Sequence, residues 1–192
     1  MAREQDAEAR RAWQEMMAQV DPRTLVFLDE TSTPTSMTPL RARAPRGTRV
    51  VRRVPHGKWE HTTLVATLTS TGLGPGLQMT GAIDRHSFDT FVATTLVPAL
   101  RPGSTVVLDN LSVHKSAAAR ELIEAAGSQL VFLPTYSPDF NPIEQAFSKL
   151  KQLLRRSEAR TVEAVINATQ AAYPRITAAA APGYDRAAGY FL

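Results

Sequence analysis

Cysteine is absent from this chain of 192 residues. Disulfides, thiolate zinc sites and cysteine nucleophiles are therefore excluded. No apolar stretch approaches the ~20 residues that a membrane-spanning helix needs. The first residues alternate Arg and Glu with Ala, which is not the pattern of a signal peptide. No internal repeat is visible. The expectation is a soluble, cytoplasmic protein with no membrane partner.

What is present fits one globular domain with appendages. Hydrophobic residues make up 43% and charged residues 21%, ordinary values for such a domain. The net charge is +4 and the isoelectric point about 9.8, a balance that accommodates a polyanionic partner without compelling one.

Periodicity gives a coarse order of elements. Residues 3 to 19 read as a helix, with Ala9, Trp13, Met16, Met17 and Val20 near one face. A strand is expected at 24–29, followed by a loop from Thr31 to Pro39. Val- and Thr-rich segments at 48–54 and 62–70 read as strands, and 77–83 as another. Gly72-Leu73-Gly74-Pro75-Gly76 reads as the turn between the last two. It lacks the spacing and the Lys-Ser/Thr ending of a phosphate loop. Helices are expected at 87–100, 114–126, 142–156 and 161–172, with strands at 104–108 and 129–133. The predicted class is α/β, a mixed sheet with helices on its faces. The expected division is an N-terminal helix and linker (1–23), a catalytic body (24–173) and a C-terminal tail (174–192).

Three carboxylates stand at element ends. Asp29 closes the apolar run Leu25-Val26-Phe27-Leu28, and Asp109 closes Val106-Val107-Leu108. Glu144 lies in the first turn of the 142–156 helix if Asn141 is its cap. Hard oxygen ligands gathered at one sheet edge bind Mg²⁺ or Mn²⁺, and a pair of such ions is suited to cutting and joining phosphodiesters. Each acid also has a plainer explanation: an exposed strand end for Asp29, a turn for Asp109, the helix dipole for Glu144. Their joint placement is what favours the site. Glu30 would point to the sheet face opposite Asp29.

Basic residues form two groups. Arg41, Arg43, Arg46, Arg49, Arg52 and Arg53 crowd into thirteen positions, and Lys149, Lys151, Arg155 and Arg156 follow Glu144 on its helix. From these, Arg46, Arg49, Arg52, Arg53, Lys149, Lys151, Arg155 and Arg156 are the candidate DNA contacts. Solvated surface, or the dipole at a helix end, explains them equally well. His114 reads as the opening of the helix after Asp109, and Trp59 as a packing aromatic.

At these residues the chain resembles a known family. The blocks are Leu28-Asp29-Glu30-Thr31, Val107-Leu108-Asp109-Asn110-Leu111-Ser112-Val113-His114-Lys115 and Leu133-Pro134-Thr135-Tyr136-Ser137-Pro138-Asp139-Phe140-Asn141-Pro142-Ile143-Glu144. They resemble the catalytic blocks of DDE transposases of the bacterial insertion-sequence 630 family, within the mariner superfamily. The 34 residues between Asp109 and Glu144 match that superfamily's spacing. Ala44-Pro45-Arg46-Gly47 and Val54-Pro55-His56-Gly57-Lys58-Trp59-Glu60 also look like family blocks, and the resemblance runs from Thr24 to Tyr173.

The resemblance implies an RNase H-like fold, a five-stranded mixed sheet flanked by helices. It implies that Asp29, Asp109 and Glu144 are at once the catalytic residues and the ligands of two Mg²⁺ or Mn²⁺ ions. It implies cleavage at transposon ends and insertion into target DNA, by a homodimer when assembled. About 23 residues precede the first strand, so the helix-turn-helix recognition module is expected from another reading frame. The expected location is the bacterial cytoplasm, associated with the nucleoid. The rivals are an RNase H-like nuclease without strand transfer and a non-catalytic DNA-binding relic.

Overall fold

The structure, a computed structural model, describes residues 6–54, 56–111 and 114–190. Pro55, Ser112 and Val113 of the sequence blocks, and the first residues of the expected N-terminal helix, lie outside the described residues.

Five strands form one sheet: β1 (Leu25–Pro34), β2 (His61–Thr69), β3 (Gly72–Thr80), β4 (Thr105–Leu108) and β5 (Gln129–Phe132). Their order is β3-β2-β1-β4-β5. The pairs β1–β2 and β2–β3 are antiparallel, while β1–β4 and β4–β5 are parallel. Helices α1 (Ala7–Met17), α2 (Arg85–Phe91), α3 (Ala117–Ala125), α4 (Ile143–Ser157), α5 (Val162–Ala172) and α6 (Ala181–Ala187) flank it. The expected mixed α/β sheet is what forms. Among the described residues, no helix is long and apolar enough to cross a membrane.

Strand alternation divides the core in two. Leu25 and Phe27 join one cluster with Trp13, Phe147, Leu150 and Tyr190. Val26 and Leu28 join the other, with Phe88, Phe91, Ala119 and Ile123. Helix α4 belongs to the first because Ile143, Ala146, Phe147, Leu150 and Leu154 recur at helical spacing and are buried. Trp13 and Met17 of α1, with Ala188 and Tyr190 near the C-terminus, enter the same cluster. The segments before 24 and after 173 thus pack on the sheet.

Several expected elements differ. The segment 48–54 is not a strand: Val51 is 81% exposed, and β1 pairs directly with β2 from Phe27↔Leu68 to Pro34↔His61. On its other side β1 pairs with β4 along Leu25–Phe27. Part of the expected Thr31–Pro39 loop continues β1 to Pro34. The glycines at 72–76 lie inside β3, and the turn is Ser70-Thr71. Gly72, at φ +106°, lets the chain near Ile176 approach so closely that a β-carbon would sit 2.6 Å from that residue's carbonyl oxygen. The 87–100 helix begins earlier, behind the Asp84 cap. It then widens into a π turn at Val92–Leu96 and ends in a 3-10 turn at Val97–Ala99. Pro98 has no N–H to continue the helical ladder.

Candidate active site

The parallel register between β1 and β4 pairs Phe27 with Val107. Asp29 and Asp109 each follow two residues later, so they reach the same edge of the sheet. Asp29, like Phe27, points to the α4 side, and Glu30 points to the opposite side. Asp29, Glu30, Asp109, Asn141 and Glu144 all line one cleft of about 520 Å³, whose far wall is the loop from Leu133 to Pro138. The sheet edge and the start of α4 thus bring the three expected acids together.

Asp29 is 7% exposed. Its Oδ1 accepts the Glu30 N–H at 2.8 Å, and its Oδ2 accepts from Asn141 Nδ2 at 2.8 Å. Burial pushes its pKa up to about 7 against the opposing pull of the Glu30 amide. The charges of Glu144, Asp109 and Glu30 push it the same way. Because the folded-state pKa is raised, the contribution to stability is full below about pH 4 and is lost as pH rises through about 7. In chelator, the stability of Asp29→Asn relative to the parent should therefore rise between pH 4 and pH 8, by up to roughly 4 kcal/mol. Urea denaturation of both proteins at the two pH values measures this, and a difference that stays constant between them would contradict it.

Asp109 is held differently. Its Oδ1 accepts the Leu111 N–H at 3.2 Å and meets His114 Nδ1. Nε2 of the same imidazole contacts Glu30 Oε2 at 2.8 Å. His114 is fully buried, with its ring centroid 4.9 Å from that of Phe88. Burial alone would lower its pKa, yet the hydrogen bonds to Asp109 and Glu30, and then their charges, raise it to about 9. Near neutral pH an imidazolium therefore bridges the two carboxylates. The expected role for His114, opening a helix, is corrected. Ser116 caps α3 through the Ala119 N–H, which leaves His114 outside the helix. Glu30 and His114 are the residues that sequence reasoning missed. The alternation that separates Glu30 from Asp29 was legible; the imidazole that returns Glu30 to the site was not.

Glu144 is exposed in the first turn of α4. The expected Asn141 cap is corrected: no side-chain hydrogen bond caps this helix, and the Asn141 side chain is turned to Asp29. The preceding loop is fastened from outside the sheet. Arg10 of α1 forks onto Asp139 at 2.9 and 2.5 Å and lies over the Phe140 ring at 4.1 Å. Tyr190 Oη donates to the Phe140 carbonyl at 2.8 Å.

The basic candidates lie apart from this cluster. Arg46, Arg49, Arg52 and Arg53 are exposed on an irregular strap between β1 and β2, where Arg52 pairs with Glu158. Arg160 pins the base of the strap, donating to the carbonyls of Met37 at 2.7 Å and Thr35 at 3.3 Å. On α4, Lys149, Lys151 and Arg155 are half-buried and Arg156 is exposed.

Donor chemistry at the cleft suits a hard divalent cation. The carboxylates offer oxygen, and Asp29 carries repulsion that a cation would relieve. Among the described residues, no three acidic or imidazole side chains cluster tightly enough to hold an ion by themselves. Oxygen ligands from substrate and water fit such a site.

Residues 24–166 match the family model described as DDE superfamily endonuclease. Over 112 residues the chain is 30% identical to the Transposable element Tc1 transposase of Caenorhabditis elegans, a match covering 56% of this chain and 41% of that protein. The chain thus matches about two fifths of the length of that curated relative. Among solved structures, it resembles a pre-cleavage Mos1 transpososome with a TM-score of 0.72 at 15% identity, over 94% of this chain and 56% of the other. It resembles a Mos1 mariner paired-end complex with Mn at 0.69 and 17%, over 94% and 56%. The catalytic domain of Mos1 mariner transposase gives 0.67 and 12%, over 98% and 88%. At these identities the likeness shows the fold, which is RNase H-like.

Proposed function

The chain belongs to the DDE superfamily endonuclease family, and from that premise we propose that it is the catalytic domain of an insertion-sequence transposase that cleaves DNA and joins the cut ends to a target. The observation that carries the reading is the meeting of Asp29, Asp109 and Glu144 at one cleft.

In this reading Asp29, Asp109 and Glu144 hold two Mg²⁺ or Mn²⁺ ions. When bound, such ions lower the pKa of an attacking hydroxyl and offset charge on the phosphoryl group. The chain's own residues set the stage. The Glu30 amide and the Asn141 side chain fix the plane of the Asp29 carboxylate. The Leu111 amide and His114 engage Asp109 through Oδ1. Glu144 enters from α4, and the anchored 134–142 loop sets where that helix starts. Exposed arginines on the strap hold the DNA backbone. Recognition of transposon ends is assigned to a helix-turn-helix module acting with this domain, and the working assembly to a homodimer.

One site of this kind can run hydrolysis and transesterification in turn, because only the attacking oxygen changes. The test mixes a pre-cleaved transposon end with plasmid target in Mn²⁺, with a recognition module supplied by fusion. Joined product is expected. Nicking without joining, in complexes that assemble fully, would leave an RNase H-like nuclease instead.

A further inference from the structure

Asn141 makes two connections at once. Its side-chain Nδ2 donates to Asp29 Oδ2 at 2.8 Å, and its backbone carbonyl accepts the Glu144 N–H at 3.2 Å. One residue therefore ties the carboxylate on β1 to the backbone position that carries Glu144. It is 5% exposed, and its Oδ1 is buried without a hydrogen-bond donor from the protein. Burying an amide half-satisfied costs stability. A side chain serving only to cap α4 would turn its oxygen to the free N–H groups of that helix's first turn. Asn141 gives up that cap and spends its donor on Asp29. The neighbouring fastenings, Arg10 on Asp139 and Tyr190 on the Phe140 carbonyl, hold the same loop from its outer side.

We infer that Asn141 is a positioning residue for the cation site: it fixes the orientation of Asp29 and sets its distance from Glu144. This rests on the reading that Asp29 and Glu144 are ligands. An Asp29 freed from Asn141 keeps only the Glu30 amide on Oδ1, so Oδ2 loses its anchor and each cation must reorder the carboxylate on binding. The expected signature is weaker cation binding by a domain that stays folded.

The test is a Mn²⁺ titration of the full chain, followed by thermal melting, for the parent, Asn141→Ala, Asn141→Ser and Asp29→Asn. Melting in chelator reports the fold alone. Half-saturating Mn²⁺ is expected to rise about ten-fold or more in Asn141→Ala and Asn141→Ser, the usual cost of losing a side chain that orients a metal ligand. In the joining assay kcat should fall while KM for DNA holds, and added Mn²⁺ should recover part of the loss. Parent-like Mn²⁺ response in both variants, with the response of Asp29→Asn abolished, would overturn the role of Asn141 and leave the cation site standing. An unchanged response in Asp29→Asn as well would remove the site itself. Loss of folding in chelator by both Asn141 variants would make Asn141 a purely structural residue and overturn the inference.

Discussion

Alanine at Asp29, Asp109 or Glu144 is expected to abolish nicking and joining together, each by at least about a thousand-fold. The two steps share one set of oxygen ligands, so no single replacement should separate them. Double replacements should lose little more than single ones, because the acids act as a unit. Stability should respond unequally. Glu144 is exposed in a first helical turn, and its removal should leave the fold within about 0.5 kcal/mol. Asp109 partners a buried His114, so Asp109→Ala leaves Nδ1 of that imidazole buried without its partner. Asp29→Ala relieves a buried carboxylate that its neighbours repel. Activity measured beside urea denaturation distinguishes chemistry from folding: three equal catalytic losses with three different stabilities. Joined product surviving Asp29→Ala would remove the proposed mechanism.

The succession of elements and the apolar faces of helices were legible in the sequence wherever local pattern and burial agree. Ile143, Ala146, Phe147, Leu150 and Leu154 are apolar at helical spacing and all are buried. Leu25 to Leu28 is an uninterrupted apolar run because β1 is central and covered on both faces. The segment 48–54 misled because valine favours a pleated, half-buried surface, whereas Val50, Val51 and Val54 lie exposed on the strap. Gly72 to Gly76 misled in the opposite sense. Glycine there answers to the close approach of Tyr173 and the 176–177 backbone, a tertiary demand with no local signature.

At the site, the placement of three acids at element ends was legible because chain direction and alternation follow from sequence. The hydrogen bonds around them were not. His114 is five residues from Asp109 but 84 from Glu30, and Asn141 is 112 from Asp29. Asn141 next to Pro142 carries every local mark of a helix cap. Only the fold reveals that a buried carboxylate competes for the same amide, and that it prevails.

Neutralising Arg46, Arg49, Arg52 and Arg53 together should flatten the salt dependence of DNA binding by roughly 3 in the slope of log affinity against log salt. Each phosphate contact contributes about 0.9 to that slope. All four arginines are exposed on the strap, but Arg52 is partly committed to Glu158, which sets the expectation below four full contacts. At 0.1 M salt the same change corresponds to a loss of affinity of roughly a hundred-fold or more. Replacing Lys149, Lys151, Arg155 and Arg156 should flatten the slope less. The stems of the first three are half-buried along α4, and part of their charge serves the carbonyl end of that helix. Fluorescence anisotropy on a terminal-repeat duplex and on a scrambled duplex, each over a range of salt, reads both quantities. Parallel losses on the two duplexes are expected, since phosphate contacts carry no sequence information. An unchanged slope would release the strap from DNA binding. A loss confined to the repeat would mean that these arginines read bases.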